Sequence, residues 1–262
     1  MSSCSNTESK RNKMNKIRRI NLIVFLTLVV ASTSLMYILG IDFMGKQEKP
    51  WHLQPSVSED SLSQIYREQY LILDKTRLLD TWNDSTKRTV VILIDAWGVP
   101  TKESLMQKNF SHFTDIPHKF AIHQRLANRT KHAELVEFRN NDTTSIYIFG
   151  GDSLEYGRID YIPALGFNEK RFCPKCNDST MATILDSLIS TQSHSLIAWT
   201  TQDAKTGEPE ILQKTFTTIH DLAKKYSDTK FIIQGTHRPI LGAPETRRSH
   251  KSHWVPAVLL NP

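Results

Sequence analysis

Residues 89–95 read Thr-Val-Val-Ile-Leu-Ile-Asp, a run of β-branched and aliphatic side chains that ends on a carboxylate. An apolar run of this length, with no polar alternation, predicts a strand buried on both faces. Such strands belong to parallel sheets covered by helices. Gly98 and Pro100 follow and stop the strand. Asp95 therefore stands at the carboxyl end of a central strand, where open α/β sheets gather ligands and reacting groups. The blander role for a carboxylate at that point is to cap the next helix.

The downstream pattern repeats this unit. A second strand is expected over 145–149, closed by Gly150 and Gly151, followed by a long loop over 152–177. Asp178 is a good N-cap for a helix to about residue 190, with Met181, Ile184, Leu185 and Leu188 on one stripe. A strand over 195–200 follows. Pro209 suits the first turn of a helix to about Tyr226, with Leu212, Phe216, Ile219 and Ala223 inward. Strands over 230–234 and 255–260 close the chain. Upstream, helices are expected over 60–75 and near 118–128. The alternation predicts an α/β domain over 88–262, a mostly parallel sheet with helices on both faces.

One N-terminal transmembrane helix precedes this domain. Residues 20–42 carry no charge before Asp42, and about 20 apolar residues cross a bilayer as a helix. Lys10, Arg11, Lys13, Lys16, Arg18 and Arg19 precede it against only Glu8. The positive-inside rule then keeps the tail 1–19 cytoplasmic and exports the rest. Ala31, Ser32 and Ser34 would also suit a cleaved signal peptide. The apolar run continues through 35–41, beyond the usual signal core, so an uncleaved signal anchor is the expectation. Residues 43–87 read as a polar tether, with Pro50 and Pro55, and a helix. The formal charge of +6 reflects this topology, because the tail alone holds six cations and one anion. The near-neutral remainder offers no basic face to a nucleic acid.

Cysteine usage agrees with export. Cys173 and Cys176 form a lone Cys-Pro-Lys-Cys pair in a polar segment. A zinc knuckle wants a second pair, and a thioredoxin-like site wants the pair to open a helix after an N-terminal strand. A local disulfide in an oxidising compartment is the preferred reading. Asn83, Asn109, Asn128, Asn141 and Asn177 begin N-x-S/T sites, which matter only where the host glycosylates.

Polar candidates gather near the expected strand ends. Asp95 follows the first strand, and Thr143 and Thr144 precede the second. Asp203 follows Ala198-Trp199-Thr200-Thr201-Gln202, and His237 follows Phe-Ile-Ile-Gln-Gly-Thr. His250 and His253 lie just before the last strand. At this point the chain resembles the alkaline phosphatase–sulfatase superfamily, which includes nucleotide pyrophosphatases and lipid-head-group phosphotransferases. TVVILIDAWG is similar to the family's first strand, whose terminal Asp binds a metal. IIQGTHRP resembles the later strand that ends in Asp-His-Gly, with His237 on the His. SHWVPAVLLN resembles the closing His-x-x-Pro strand and puts His253 on a metal-binding His. AWTTQDAKTGEP resembles a segment in which an Asp and a His four residues later bind the other metal, with Asp203 on the Asp.

The resemblance implies metal-dependent hydrolysis or transfer of a small-molecule, lipid or glycan phosphate or sulfate ester. Zn or Mn would neutralise the ester's charge and lower the nucleophile's pKa. Asp95, His237 and a Thr would hold one metal; Asp203 and His253 would serve a second. The family's nucleophile is a Thr or Ser at a helix start, for which Thr143 or Thr144 is the expectation. Two positions depart from the pattern: Gly207 stands where a His is expected, and Thr236 where an Asp is expected. A catalytically inactive binding or assembly module on the same fold is the competing class. IYIFGGDSLEYG also resembles the first block of SGNH (GDSL-type) esterases, with Ser153 as the implied nucleophile. The one Asp-x-x-His of the chain, Asp115–His118, precedes that serine, whereas the SGNH pattern wants it late.

Overall fold

The computed structural model describes residues 21–32, 62–74, 77–82, 87–124, 129–140, 144–191, 193–205, 207–240 and 244–262. The chain forms two units, Met1–Lys49 and Pro50–Pro262. In the first, the described residues are an exposed helix, α1, over 21–32. Among the described residues no helix is long and apolar enough to cross a membrane. The expected tail 1–19, residues 20 and 33–42 of the expected transmembrane segment, and the tether over 43–61 lie outside the described residues.

In chain order the second unit runs α2 (Gln64–Gln69), β1 (Leu71–Leu73), α3 (Leu78–Trp82), β2 (Thr89–Ile94), α4 (Glu103–Ser111), β3 (His118–Gln124), α5 (Thr130–Glu137) and β4 (Ser145–Phe149). It continues with α6 (Arg158–Tyr161), β5 (Glu169–Phe172), α7 (Asp178–Thr191), β6 (Leu196–Thr200), α8 (Pro209–Lys225), β7 (Lys230–Gly235), α9 (Pro244–Arg248) and β8 (Trp254–Leu260). The eight strands form one sheet in the order β1-β3-β8-β7-β2-β6-β4-β5. All pairings are parallel except those of β8, which runs antiparallel to both β3 and β7. Pro256 cannot donate to a ladder. It falls just beyond the last β7 rung, Gln234↔Ala257.

The apolar run of β2 serves two cores at once. Val90, Ile92 and Ile94 pack with Met106 and Phe110 of α4, Met181 and Leu185 of α7, and Phe216 and Ile219 of α8. Val91 and Leu93 point the other way, into a second cluster with Leu78 and Leu79 of α3, Ala133 of α5 and Tyr161 of α6. Period-two alternation with apolar residues at every position therefore means helices on both faces. Each such side chain contributes roughly 1.5–3 kcal/mol on full burial.

Three expectations are corrected. The segment read as a helix near 118–128 is strand β3 through Gln124, and 125–128 lie outside the described residues. Its first half is partly open and its second half fully buried, a gradient that mimics neither period. The helix expected over 60–75 is a single short helix, α2, followed by strand β1. The expected loop over 152–177 holds α6 and the edge strand β5, whose exposed Glu-Lys-Arg gives no apolar signal. Past β5, Cys173 and Cys176 are joined in a disulfide.

Candidate active site

The ladder of β2 delivers the site. Thr201 N bonds Leu93 O at 2.9 Å and Thr236 N bonds Ile94 O at 3.0 Å, so β6 and β7 continue one rung past their ends. This puts Thr201 and Thr236 on either side of Asp95. The Asp95 amide donates to Thr201 Oγ1 at 3.1 Å. Four groups then converge on one carboxylate oxygen. Asp95 Oδ1 accepts from Thr130 Oγ1 at 2.8 Å, Thr236 Oγ1 at 3.0 Å and Ala96 N at 3.1 Å, and lies 3.3 Å from His237 Nε2. Asp95, Thr130, Thr236 and His237 are all buried. The turn is tight enough to hold Ala96 at a φ of 56°, a left-handed conformation that costs a non-glycine residue about 1 kcal/mol or more.

The electrostatics follow from these contacts. Burial alone would raise the Asp95 carboxyl. The hydrogen bond and charge of His237, with the bonds from Thr130 and Thr236, outweigh it and hold the group below the usual carboxylate range. His237 Nδ1 lies 2.7 Å from Arg238 O, and a carbonyl can only accept, so Nδ1 carries a proton. Nε2 is then bare in the neutral ring and protonated in the cation. Thr130 Oγ1 stands 3.4 Å from it. A hydroxyl between an imidazole that can take its proton and a carboxylate that stabilises the resulting imidazolium is an activated nucleophile in outline.

Thr130 is the first residue of α5, where a hydroxyl meets the unsatisfied amides of a helix start. The sequence carries a signal for it, since the polar Asn128-Arg129-Thr130 precedes the apolar Ala133, Leu135 and Val136. A helix expected over 118–128 obscured that start. Of the residues expected to converge, Asp95 and His237 meet. Thr144 lies at the amino end of β4, with its exposed hydroxyl 2.6 Å from Ser195 Oγ. In the parallel register Ser145 pairs with Leu196, which pairs with Thr89, so Thr144 stands at the sheet edge opposite Asp95. Thr143 lies outside the described residues.

Asp203 is engaged elsewhere. Its Oδ2 accepts from the amide of Asp178 at 3.0 Å, and Asp178 Oδ2 accepts from the amide of Asp203 at 3.0 Å. Burial, more than the neighbouring charges of Asp203 and Asp95, pushes the Asp178 carboxyl up to about 6. His253 is half-buried, and its Nδ1 is buried without a hydrogen-bond partner. The Ser153 hydroxyl bonds Asp152 Oδ1 at 3.4 Å, and among the described residues no imidazole is bonded to it. His118 bonds Ile116 O, and Asp115 pairs with His220, so the Asp-x-x-His does not serve that serine.

The donor set does not fit the Zn or Mn expected from the resemblance. Among the described residues no group of three or more His, Cys, Asp or Glu side chains converges. Structural and catalytic zinc sites take three or four such ligands. Among the described residues, the side chains in contact with the Asp95 carboxylate are one imidazole and two hydroxyls. Thr236, at the expected Asp, spends its hydroxyl on Asp95 Oδ1 and the Ala96 amide. Gly207, at the expected His, has a φ of 70°, and a Cβ there would stand 2.3 Å from Pro239 Cγ. A histidine at that position would need the turn rebuilt.

No protein-family model matches the chain, and no curated protein matches it. Among solved structures it is similar to a protein of the alkaline phosphatase superfamily from Vibrio parahaemolyticus, with a TM-score of 0.50, 14% identity, and coverage of 78% of this chain and 69% of that one. It is also similar to the lipoteichoic acid synthase LtaP from Listeria monocytogenes, with a TM-score of 0.49, 9% identity, and coverage of 66% of this chain and 65% of that one. A third is the Streptococcus pyogenes phosphoglycerol transferase GacH in complex with sn-glycerol-1-phosphate, with a TM-score of 0.47, 10% identity, and coverage of 68% of this chain and 69% of that one. At these identities the likeness speaks to the fold, and the second unit of this chain has an alkaline phosphatase–sulfatase-like fold.

Proposed function

We propose that the chain is a membrane-anchored extracytoplasmic enzyme that hydrolyses or transfers a phosphate or sulfate ester, with Thr130 as the covalent nucleophile. The observation that carries this reading is the Thr130 hydroxyl at the start of α5, 2.8 Å from Asp95 Oδ1 and 3.4 Å from His237 Nε2. Thr130 Oγ1 forms a bond to phosphorus or sulfur as its proton passes to His237 Nε2. The ester oxygen leaves with that proton. In the second half, water or an acceptor alcohol gives its proton to His237 and attacks the Thr130 adduct; the bond to Thr130 Oγ1 breaks, His237 returns the proton to that oxygen, and the phosphoryl or sulfuryl group leaves on the new oxygen. Asp95 stabilises the imidazolium that forms transiently within each half. No step runs through a metal, because the described residues around Asp95 do not supply its ligands.

A cleft of about 420 Å³ opens nearby, between Pro100, Leu105, Gly207, Leu212, Glu245 and His250. It gives room for the alcohol or glycan portion of an ester. The N-terminal segment 20–42 is the proposed anchor, and its basic flank sets the orientation. The full-length chain should release 4-nitrophenolate from a phosphate monoester, a phosphodiester or a sulfate, and Thr130→Val should lower that rate at least a hundredfold. Intact mass during turnover should place an adduct on the peptide that holds Thr130. A folded protein inert toward all three esters would leave the inactive binding module, the reading favoured by Gly207 and Thr236 at the two departing positions.

A further inference from the structure

We propose that Arg238 and His253 form an anion-binding site for the phosphate or sulfate group of the ester, so that a guanidinium takes the place of a divalent cation. The inference deepens the proposed function and rests on the same site. Its first support is charge. Where the resembled motif reads Asp-His-Gly, this chain reads Thr236-His237-Arg238. A carboxylate is replaced by a neutral hydroxyl, and a residue without a charge by a cation. Both changes make the site more positive and disfavour a bound metal ion, which needs anionic ligands and is repelled by a neighbouring guanidinium. The same two changes favour an anion.

The second support is an unmet valence. Arg238 is half-buried, yet its Nε is buried with no hydrogen-bond partner, and no ion pair to it forms among the described residues. Buried guanidinium groups are ordinarily paired. By contrast Arg158, which is fully buried, has Glu134 at 2.8 Å. His253 Nδ1 is a second buried polar atom without a partner. The Val99 amide bonds the Trp254 carbonyl at 3.2 Å and Gly98 lies against Arg238, so Arg238 and His253 flank the same turn after β2; burial first, and then the Arg238 charge, hold His253 below the usual imidazole range. His250 feels the same cation and lines the cleft. The peptide of Arg238 is tied to the reacting groups, because its carbonyl accepts from His237 Nδ1. Its Cα packs within 2.7 Å of where a Gly98 Cβ would stand, beside the exit of β2. An oxyanion bound here would give both orphan nitrogens a partner, one residue along the chain from His237. Arginine suits the task, since its planar fork matches the oxygens of a phosphate or sulfate.

The test is a titration of the full-length chain in detergent with inorganic phosphate, read by calorimetry with and without EDTA. The expected result is saturable binding that EDTA leaves unchanged and that weakens at least tenfold in Arg238→Gln and severalfold in His253→Gln. Arg238→Lys, which keeps the charge and loses the fork, should fall between wild type and Arg238→Gln and guards against a folding defect. Thr236→Asp should weaken phosphate and gain affinity for Zn²⁺. Binding that requires added Zn²⁺ or Mn²⁺, binding unaltered in Arg238→Gln, or no binding at all overturns the proposal. Thr130→Val separates the two readings. Phosphate binding retained by a wild type that turns over no ester refutes the catalytic role of Thr130 and leaves the anion site standing.

Discussion

Glu134 and Asp95 are both buried carboxylates beside a basic side chain, and both touch α5, which carries Thr130 and Glu134 one turn apart. Their surroundings differ. Glu134 Oε1 takes Arg158 Nη2 at 2.8 Å, Arg158 Nε at 3.3 Å and Tyr147 OH at 3.2 Å, and Oε2 takes Tyr161 OH. Arg158 lies 3.6 Å over the Phe149 ring, and both members of the pair are fully buried. This network is closed, with both oxygens used and a cation that does not titrate. At Asp95 every contact falls on Oδ1, and the basic partner is a histidine that can lose its charge. A closed pair fixes α5 against the sheet; an open one leaves acceptor capacity and a movable proton at the start of the same helix.

The contrast is broken most directly at Glu134. Glu134→Ala leaves Arg158 charged and unpaired in the core, which should cost about 3–5 kcal/mol in urea unfolding. If it costs less than 1 kcal/mol, the closed network does not hold α5. Replacing both members with apolar residues should recover much of the loss, since the desolvation penalty leaves with the pair.

Asp178 gives the next effect. Its folded pKa of about 6 lies above the unfolded value of 3.8, so the native state holds the proton more tightly. Its contribution to stability is therefore present below pH 3.8 and lost as pH rises to about 6, by roughly 3 kcal/mol. Asp95 has the opposite sign. Its lowered pKa stabilises the fold above the ordinary carboxylate range and fades as pH falls through its folded value. Unfolding midpoints followed from pH 3 to 8 should show the difference between wild type and Asp178→Asn growing between pH 4 and 6. A difference that does not vary with pH would refute the raised pKa.

Asp95→Asn sharpens the comparison. The amide oxygen keeps an acceptor for Thr130, Thr236 and Ala96, so stability should fall by only about 1 kcal/mol. Turnover should fall by about a hundredfold or more, as the imidazolium loses its counter-charge. A loss of stability as large as that of Glu134→Ala would make Asp95 a structural residue.

The two regions were also unequally legible. β2 was readable because apolar residues at every position admit few alternatives, and α7 and α8 because their stripes keep helical spacing. Asp95 and His237 were found because each closes such a strand. Thr130 was not, since its partner Asp95 lies 35 residues away in the chain and only the fold brings α5 to the end of β2. Glu134 and Arg158 carry no local signal of burial, and Arg158 falls in the segment expected as a loop over 152–177. Their burial depends on each other across 24 residues, which no local period records.

The smallest predicted effect compares two threonines of the same chain. Thr130 is buried at the carboxyl edge of the sheet, and Thr144 is exposed at the amino edge. The Thr144 hydroxyl exchanges a hydrogen bond with Ser195 Oγ where water can replace either partner. Thr144→Ala should therefore change stability by less than about 0.5 kcal/mol, the usual range for surface substitutions. Its distance from Asp95 is set by the strand. Six residues of β2 separate the level of Thr89 from Asp95, about 20 Å at the rise of an extended chain. No side-chain rearrangement spans that gap, so Thr144→Ala should leave ester turnover and phosphate binding where they are. A Thr144→Ala protein that folds normally but loses turnover would place the chemistry at the amino edge and remove Thr130, Asp95 and His237 from it together.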